Sequence, residues 1–323
     1  MITTRPVLEV KDLVVEYGSE SGPVRAVDRV SFDLARGEFL GIVGESGCGK
    51  STLMFAIARL LSRPAEIVSG EVRFDGTDMV SIDDDELRRV RWRRYSVVMQ
   101  SAMNALNPVM TVGAQLRDAI QAHDHMPERK LQTRSEEVMR LVGIDPVHLK
   151  SYPHQLSGGM RQRAMIAMAL VFTPDLVIMD EPTSALDVVA QRSLMLQIKE
   201  LQRKIGFAAI FVTHDMSLVS HFSDRLAVMY AGQVVEIGPT DTLFASPKHP
   251  YSTGLLGSFP SIRGARQPLQ GIPGAPPDLA RPPAGCRFHP RCPRVMAHCR
   301  TIEPPVYVRV GVDIRCHLYS DGG

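Results

Sequence analysis

The run Glu38-Phe39-Leu40-Gly41-Ile42-Val43, continued by Gly44-Glu45-Ser46-Gly47-Cys48-Gly49-Lys50-Ser51-Thr52 and the helical pattern Leu53 to Leu61, decides the fold. It reads as an apolar strand, a glycine-rich loop and the start of a helix. The glycines permit a tight loop whose backbone N–H groups turn inward on a phosphate, and the helix N-terminus adds its partial positive charge. In the spacing G-x-x-x-x-G-K-[ST], Lys50 reaches the β and γ phosphates of a nucleotide and the Ser51 hydroxyl ligates Mg²⁺. The strand before it and the helix after it set it apart from a mere glycine-rich turn. Cys48, inside the loop, reads as a small space filler rather than a ligand.

Downstream, Leu176-Val177-Ile178-Met179 is a buried-strand pattern that ends in Asp180 and Glu181. A parallel strand delivers both acids at its C-terminal edge, where α/β sheets bind ligands. Asp180 suits a Mg²⁺ ion held through its water shell, and Glu181 suits the group that polarises a water attacking the γ phosphate. A second apolar strand, Ala208 to Thr213, ends at His214-Asp215. A histidine there is more often structural, but at the end of a second strand of the same nucleotide domain it reads as a γ-phosphate contact. Between the phosphate loop and the acidic strand, Leu156-Ser157-Gly158-Gly159-Met160-Arg161-Gln162 opens a small-residue helix, a second phosphate-binding helix start.

The rest of the chain bounds the reading. Among 323 residues, 44% are hydrophobic and 22% charged, with 37 Lys+Arg against 35 Asp+Glu. Short β-rich runs alternating with helical patterns predict an α/β domain. A net charge of +2 gives no reason to expect a polyanion-binding surface. The longest apolar stretches fall far short of the ~20 residues of a membrane-spanning helix, and residues 1–10 lack a secretion-signal pattern, so a cytoplasmic protein is expected. Asp83 to Arg94, acidic at its start and basic further on, reads as a solvated surface helix. Gln121 to Lys130, with His123 and His125, stays unassigned. Of 23 Pro, 13 fall in residues 246–323, as do four of the five Cys. That asymmetry places a boundary near residue 245, with a nucleotide-binding domain over 1–245 and an irregular Cys/Pro-rich region over 246–323.

Taken together, these residues closely resemble the ATP-binding subunits of ABC transporters, over almost the whole chain. Gly44 to Thr52 matches the Walker A motif, Leu156 to Met160 with Gln162 the signature, and Leu176 to Glu181 the Walker B strand with its catalytic Glu. Ser184-Ala185-Leu186-Asp187 looks like the D-loop, Gln100 the Q-loop residue, His214 the switch histidine and Tyr17 the aromatic that stacks on adenine. The resemblance implies a P-loop fold with a RecA-like core, an antiparallel β subdomain and a helical subdomain. It implies ATP held by Tyr17 and by Gly44, Glu45, Ser46, Gly47, Cys48, Gly49, Lys50, Ser51 and Thr52, with Mg²⁺ on Ser51, Gln100 and Asp180. It also implies a head-to-tail pair, in which Leu156, Ser157, Gly158, Gly159, Met160 and Gln162 act on the partner's nucleotide. ATP closes such a pair, hydrolysis reopens it, and the motion passes to membrane subunits near Gln100. Soluble ABC proteins of DNA repair or translation usually carry a coiled-coil insertion or two cassettes; here the Walker motifs occur once. No nucleic-acid partner is expected.

Two segments narrow the resemblance. Ser101-Ala102-Met103-Asn104-Ala105-Leu106-Asn107-Pro108 is similar to the M-x-x-L-N-P segment of dipeptide and oligopeptide importers. His249 to Leu256, Pro276 to Leu279 and Gly285 to Pro293 look like that group's C-terminal region. Its members sit on the cytoplasmic face of the membrane with two permease subunits, and a solute-binding protein outside feeds them. The Met160 variant of the signature resembles one of two unlike ATPases, which implies a heterodimer. The group also includes importers of nickel, glutathione, opines and oligosaccharides; the solute contacts other subunits.

Cys286, Cys292, Cys299 and Cys316 follow with gaps of five, six and sixteen residues. In a reducing compartment, structural disulfides are disfavoured. Four thiolates suit a [4Fe–4S] cluster or a tetrahedral Zn²⁺, and a metal-free region is the third reading. The resemblance favours the cluster, since members of the peptide-importer group carry one at matching cysteines. Its first role would be a structural staple in a small Pro-rich lobe, with redox sensing as a secondary hypothesis.

Overall fold

The computed structural model describes residues 5–20, 22–100, 105–184, 186–257 and 271–320; residues 101–104 of the importer-like segment and Ala185 of the D-loop lie outside them. Strands β1 (Leu8–Tyr17), β2 (Val24–Leu34) and β3 (Phe39–Val43) lead into helix α1 (Lys50–Ile57). Strands β4 (Ala65–Phe74) and β5 (Thr77–Asp78), helix α2 (Asp84–Val90) and strand β6 (Tyr95–Val98) follow. Next come helices α3 (Val112–Gln121), α4 (Glu128–Leu141) and α5 (Gly158–Ala169), strand β7 (Leu176–Asp180), helix α6 (Val188–Ile205) and strand β8 (Ala208–Val212). The chain continues through α7 (Met216–Phe222), β9 (Arg225–Tyr230), β10 (Gln233–Pro239), α8 (Thr240–Ala245) and α9 (Pro250–Gly257), and ends with β11 (Tyr307–Arg309) and β12 (Val312–Ile314). No helix among the described residues is long and apolar enough to cross a membrane.

The contacts divide the chain into two compact units. The first takes Leu34–Phe39 and Ser81–Phe211 with the N-terminal residues up to Val7. Its β7 lies between β6 and β8, and β6 runs parallel to it in the register Tyr95↔Leu176 to Val98↔Met179. All five residues of β7 and of β8 are buried. Such runs lack a period of two because both faces of a parallel sheet are covered. Helices α3, α4 and α5 form the helical part. Thr111 caps α3 by accepting the Ala114 N–H, and Val112, Leu116 and Ile120 bury one stripe at i, i+4, i+8. Within the acidic and basic run of Asp83 to Arg94, only Asp84–Val90 folds as a short helix, α2, with the Asp83 carboxylate accepting the Glu86 N–H; Arg91 to Arg94 turn toward β6. Its charged side chains are mostly exposed and only Leu87 is buried.

The second unit takes Leu8–Asp33, Leu40–Val80 and Val212 onward. It holds a four-stranded sheet in the order β2-β1-β4-β5, with β1 and β4 antiparallel from Leu8↔Phe74 to Tyr17↔Ala65. It also holds the strand order β11-β12-β10-β9-β3. There β3 pairs with β9 in parallel and the remaining pairs are antiparallel. The expected division at residue 245 is not the one the contacts draw. Glu236 and Ile237 of β10 pair with Ile314 and Asp313 of β12, so the end of the chain completes a sheet begun before residue 245. The region read as irregular also supplies buried core: its Tyr251 and Phe288 pack with Tyr230 of β9, and each of the three is at most 2% exposed. Their rings pack with centroids 4.5 to 5.4 Å apart.

Candidate functional site

The phosphate loop belongs to the second unit. Buried β3 delivers Gly44, and α1 starts from Gly49. Glycine at these two positions is demanded by crowding. A Cβ on Gly44 would stand 2.2 Å from the Met229 carbonyl oxygen, and one on Gly49 would stand 2.2 Å from the Ala26 carbonyl oxygen. Backbone oxygens cannot swing aside, so the loop closes only without side chains there. Lys50 Nζ donates to the Gly44 and Glu45 carbonyl oxygens at 2.9 Å each, which holds the ammonium over the loop. Cys48 is 4% exposed, with Sγ 3.7 Å from Lys50 Nζ, and burial pushes its thiol pKa up. That fits a filler better than a ligand. Ser46 and Gly47 are exposed, and Ser51 and Thr52 are half-buried at the start of the helix. Tyr17, expected to stack on a base, has its hydroxyl 3.1 Å from Thr52 Oγ1. The structure therefore brings this ring to the loop it was expected to serve. His214 is exposed at the end of β8, just before the Asp215 carboxylate caps α7 by accepting the Ser217 N–H at 2.8 Å.

The carboxylates belong to the first unit. Asp180 ends β7 and is 2% exposed. Glu181 has φ of 45°, a left-handed conformation that a glutamate rarely adopts, and this turns it off the strand axis. Gln100 Nε2 donates to Glu181 Oε2 at 2.9 Å. The residues 81 positions apart thus form one group, and the amide nitrogen is the part of Gln100 engaged, which leaves its Oε1 as a candidate Mg²⁺ ligand.

The signature segment is laid out on the first turn of α5. Ser157 caps the helix, its Oγ accepting the Met160 N–H at 3.3 Å, and Leu156 is buried beneath it. Gly158 and Met160 are half-buried. Among the described residues, a Cβ on Gly159 would meet nothing within 4 Å beyond its own helix, so no packing contact among them requires glycine there. Gln162 departs from its expected place among residues that reach out to a partner. It is 4% exposed and its Nε2 donates to the Pro182 carbonyl oxygen, since its position one turn into α5 faces the core. It ties the signature helix to the segment after Glu181. In the D-loop, the Ser184 N–H donates to the Glu181 carbonyl oxygen at 3.2 Å, and Asp187 caps α6 by accepting the Ala190 N–H at 2.9 Å.

The four cysteines converge. Cys286, Cys292, Cys299 and Cys316 line one small cavity together with His289 and His317. Cys286 N–H donates to the Cys299 carbonyl oxygen at 2.9 Å. Burial pushes the thiols of Cys286 and Cys316 up to about 11 and raises that of Cys292. The four are free thiols, and among the described residues no three His, Cys, Asp or Glu side chains are drawn close enough to hold a metal ion. The donor set is right for a soft metal or a cluster, while the expected [4Fe–4S] cluster has no further support in the geometry.

Two residues of the site escaped the sequence. Arg291, 246 positions after Glu45, makes a bidentate ion pair with it, Nη1 to Oε2 at 2.7 Å and Nη2 to Oε1 at 2.9 Å. The Tyr251 hydroxyl accepts the Glu45 N–H at 2.9 Å. Neither stands in a motif of the nucleotide loop; both lie in segments read only as resembling the importer group's C-terminal region.

A strand–loop–helix phosphate cradle, an acidic strand end with a glutamine-held glutamate and a capped Ser-Gly-Gly helix start define an ATP-binding cassette. The profile of the ABC transporter family matches residues 27–184, and that of the oligopeptide/dipeptide transporter C-terminal region matches residues 235–299. A dipeptide transport ATP-binding protein of Haemophilus influenzae is 41% identical over 96% of this chain and 94% of its own. The dipeptide and oligopeptide transport ATP-binding proteins of Bacillus subtilis are 45% and 42% identical, over 91% and 87% of their own lengths. Among solved structures, the ATP-binding cassette MJ0796, a dimer bound to ADP and Pi, superposes with a TM-score of 0.64 at 28% identity. It covers 72% of this chain and 98% of that one. The chain belongs to the ATP-binding subunits of the ABC transporters, in the dipeptide/oligopeptide branch.

Proposed function

We propose that this chain hydrolyses ATP to energise the import of dipeptides or oligopeptides, as a peripheral subunit on the cytoplasmic face of the membrane. The observation that carries the catalytic half is the Gln100–Glu181 pair at the end of the buried acidic strand. The transport half rests on the oligopeptide/dipeptide C-terminal region at residues 235–299. Each residue then has a task. Lys50 and the loop N–H groups hold the β and γ phosphates, while Ser51, Asp180 and the Gln100 amide oxygen hold Mg²⁺, which supplies charge neutralisation when bound. Glu181 accepts a proton from the attacking water, Gln100 keeps its carboxylate oriented, His214 contacts the γ phosphate, and Tyr17 stacks on the base. Ser157 and Gly159 face the nucleotide of a second ATPase; the open space at Gly159 supports that role, because a partner's phosphates need close approach to backbone. That partner is a different ATPase chain, and two permease subunits complete the complex, which a solute-binding protein serves from outside. The four cysteines hold a [4Fe–4S] cluster as a staple of the C-terminal region.

In this reading, Glu181→Gln keeps Mg-ATP binding and lowers turnover by about 10² to 10⁴. Wild-type turnover in that variant would refute the assigned base. In vesicles containing the permeases and the partner ATPase, peptide-loaded binding protein should stimulate ATP hydrolysis by the complex. An unchanged rate with peptides, alongside stimulation by another solute, would move the chain to a different cargo.

A further inference from the structure

A carboxylate beside a phosphate cradle is an electrostatic liability, and Glu45 is the second residue of this one. Its carbonyl oxygen already holds Lys50 Nζ, so its backbone is part of the cradle. Its side chain is directed onto Arg291, a residue of the C-terminal cysteine region that is 5% exposed at the side chain. Arg291 is itself fixed. Nε donates to the Pro273 carbonyl oxygen at 2.7 Å, Nη1 lies 3.4 Å from the Tyr230 hydroxyl, and its guanidinium stands 5.8 Å from the Tyr230 ring centroid. Tyr251, packed on Tyr230 and Phe288, accepts the Glu45 N–H from the same side.

We infer that Arg291 is a positioning residue for the nucleotide: it neutralises Glu45 and, with Tyr251, holds the first turn of the phosphate loop in its binding shape. The C-terminal region thereby sets how tightly the loop takes phosphate. A bidentate, partly buried pair fixes both the charge and the direction of a carboxylate, which a lysine or a solvent ion cannot do. This rests on the ATP-binding reading above, and the test separates the two.

The test is a double-mutant cycle in the purified full chain, reading Mg-ATP affinity by titration. Arg291→Met leaves the Glu45 charge uncompensated and should weaken Mg-ATP binding about tenfold, with the loss shrinking as salt is raised. In the complex with the partner ATPase, KM should rise with kcat retained, since the group acts on binding rather than on the chemical step. Arg291→Met with Glu45→Gln removes the charge and should return affinity to within about threefold of wild type. An unchanged affinity in Arg291→Met, or a double variant as weak as the single one, overturns the inference. Should Arg291→Met not fold, Arg291→Gln, alone and together with Glu45→Gln, carries the same comparison, because glutamine also removes the positive charge. A wild-type chain that fails to bind Mg-ATP would instead sink the ATP-binding reading.

Discussion

At the scale of single residues, the phosphate loop works by what its glycines leave out. Gly49 lies where a Cβ would meet the Ala26 carbonyl oxygen at 2.2 Å, a contact no real side chain makes. Gly49→Ala is therefore expected to shift the loop backbone, to cost about 2–4 kcal/mol of stability and to abolish Mg-ATP binding. Thermal unfolding and nucleotide titration check both; an alanine variant with wild-type affinity would mean that the β2 segment around Ala26 yields instead. The same scale explains why Glu181 is legible in the sequence and Arg291 is not. Glu181 follows a run of four apolar residues and Asp180, and needs only its strand to be placed. Arg291 acquires its role only once residues 246 positions apart are folded together.

At the scale of elements, the entry to α9 carries a pH sensitivity. His249 is 1% exposed, its N–H donates to Glu236 Oε2 at 2.9 Å, and its Nδ1 accepts the Tyr251 N–H at 3.0 Å. Burial pushes its pKa down to about 3 from an ordinary value of 6.5. The folded state therefore keeps the ring neutral while the unfolded chain takes up a proton. Stability is full above about pH 6.5 and is lost progressively as the pH falls toward 3. His249→Gln should flatten the fall of the melting temperature between pH 6.5 and pH 4 relative to wild type. An equal slope in both proteins would place the acid sensitivity elsewhere. This residue also fixes Tyr251, so the entry of α9 and the phosphate loop share one anchor.

For the whole molecule, the C-terminal region is the part whose character changed most between sequence and structure. It reads as an irregular appendage, yet β12 extends the strand order of β10 and β9, and Arg287 Nη2 holds Asp28 Oδ2 at 2.6 Å. The cysteine cavity lies within this region, so metal loading should stabilise the entire second unit. Anaerobic reconstitution with iron and sulfide is expected to give a broad absorbance near 400 nm, about four iron per chain and a raised melting temperature. Chelation or removal of a cysteine (Cys299→Ser) should reverse the gain. Zinc uptake with no iron would replace the cluster by a tetrahedral zinc site. A chain that takes up neither, with unchanged melting, would leave the four thiols as core packing alone.

The amino-acid sequence by itself determined the class of the fold, the phosphate loop, the acidic strand end, the signature segment and the family branch. Each of these is a local pattern whose chemistry depends on neighbours in the chain: glycines for a tight turn, an apolar run for a parallel strand, a serine for a helix cap. Only the tertiary structure decided that Gln100 grips Glu181, that Gln162 is turned into the core, that the four cysteines share a cavity, and that residues beyond 245 complete a sheet begun before it. Those are contacts between residues far apart in sequence. No spacing rule encodes them, because they exist only where the packing of buried strands and helices brings the side chains within hydrogen-bonding reach.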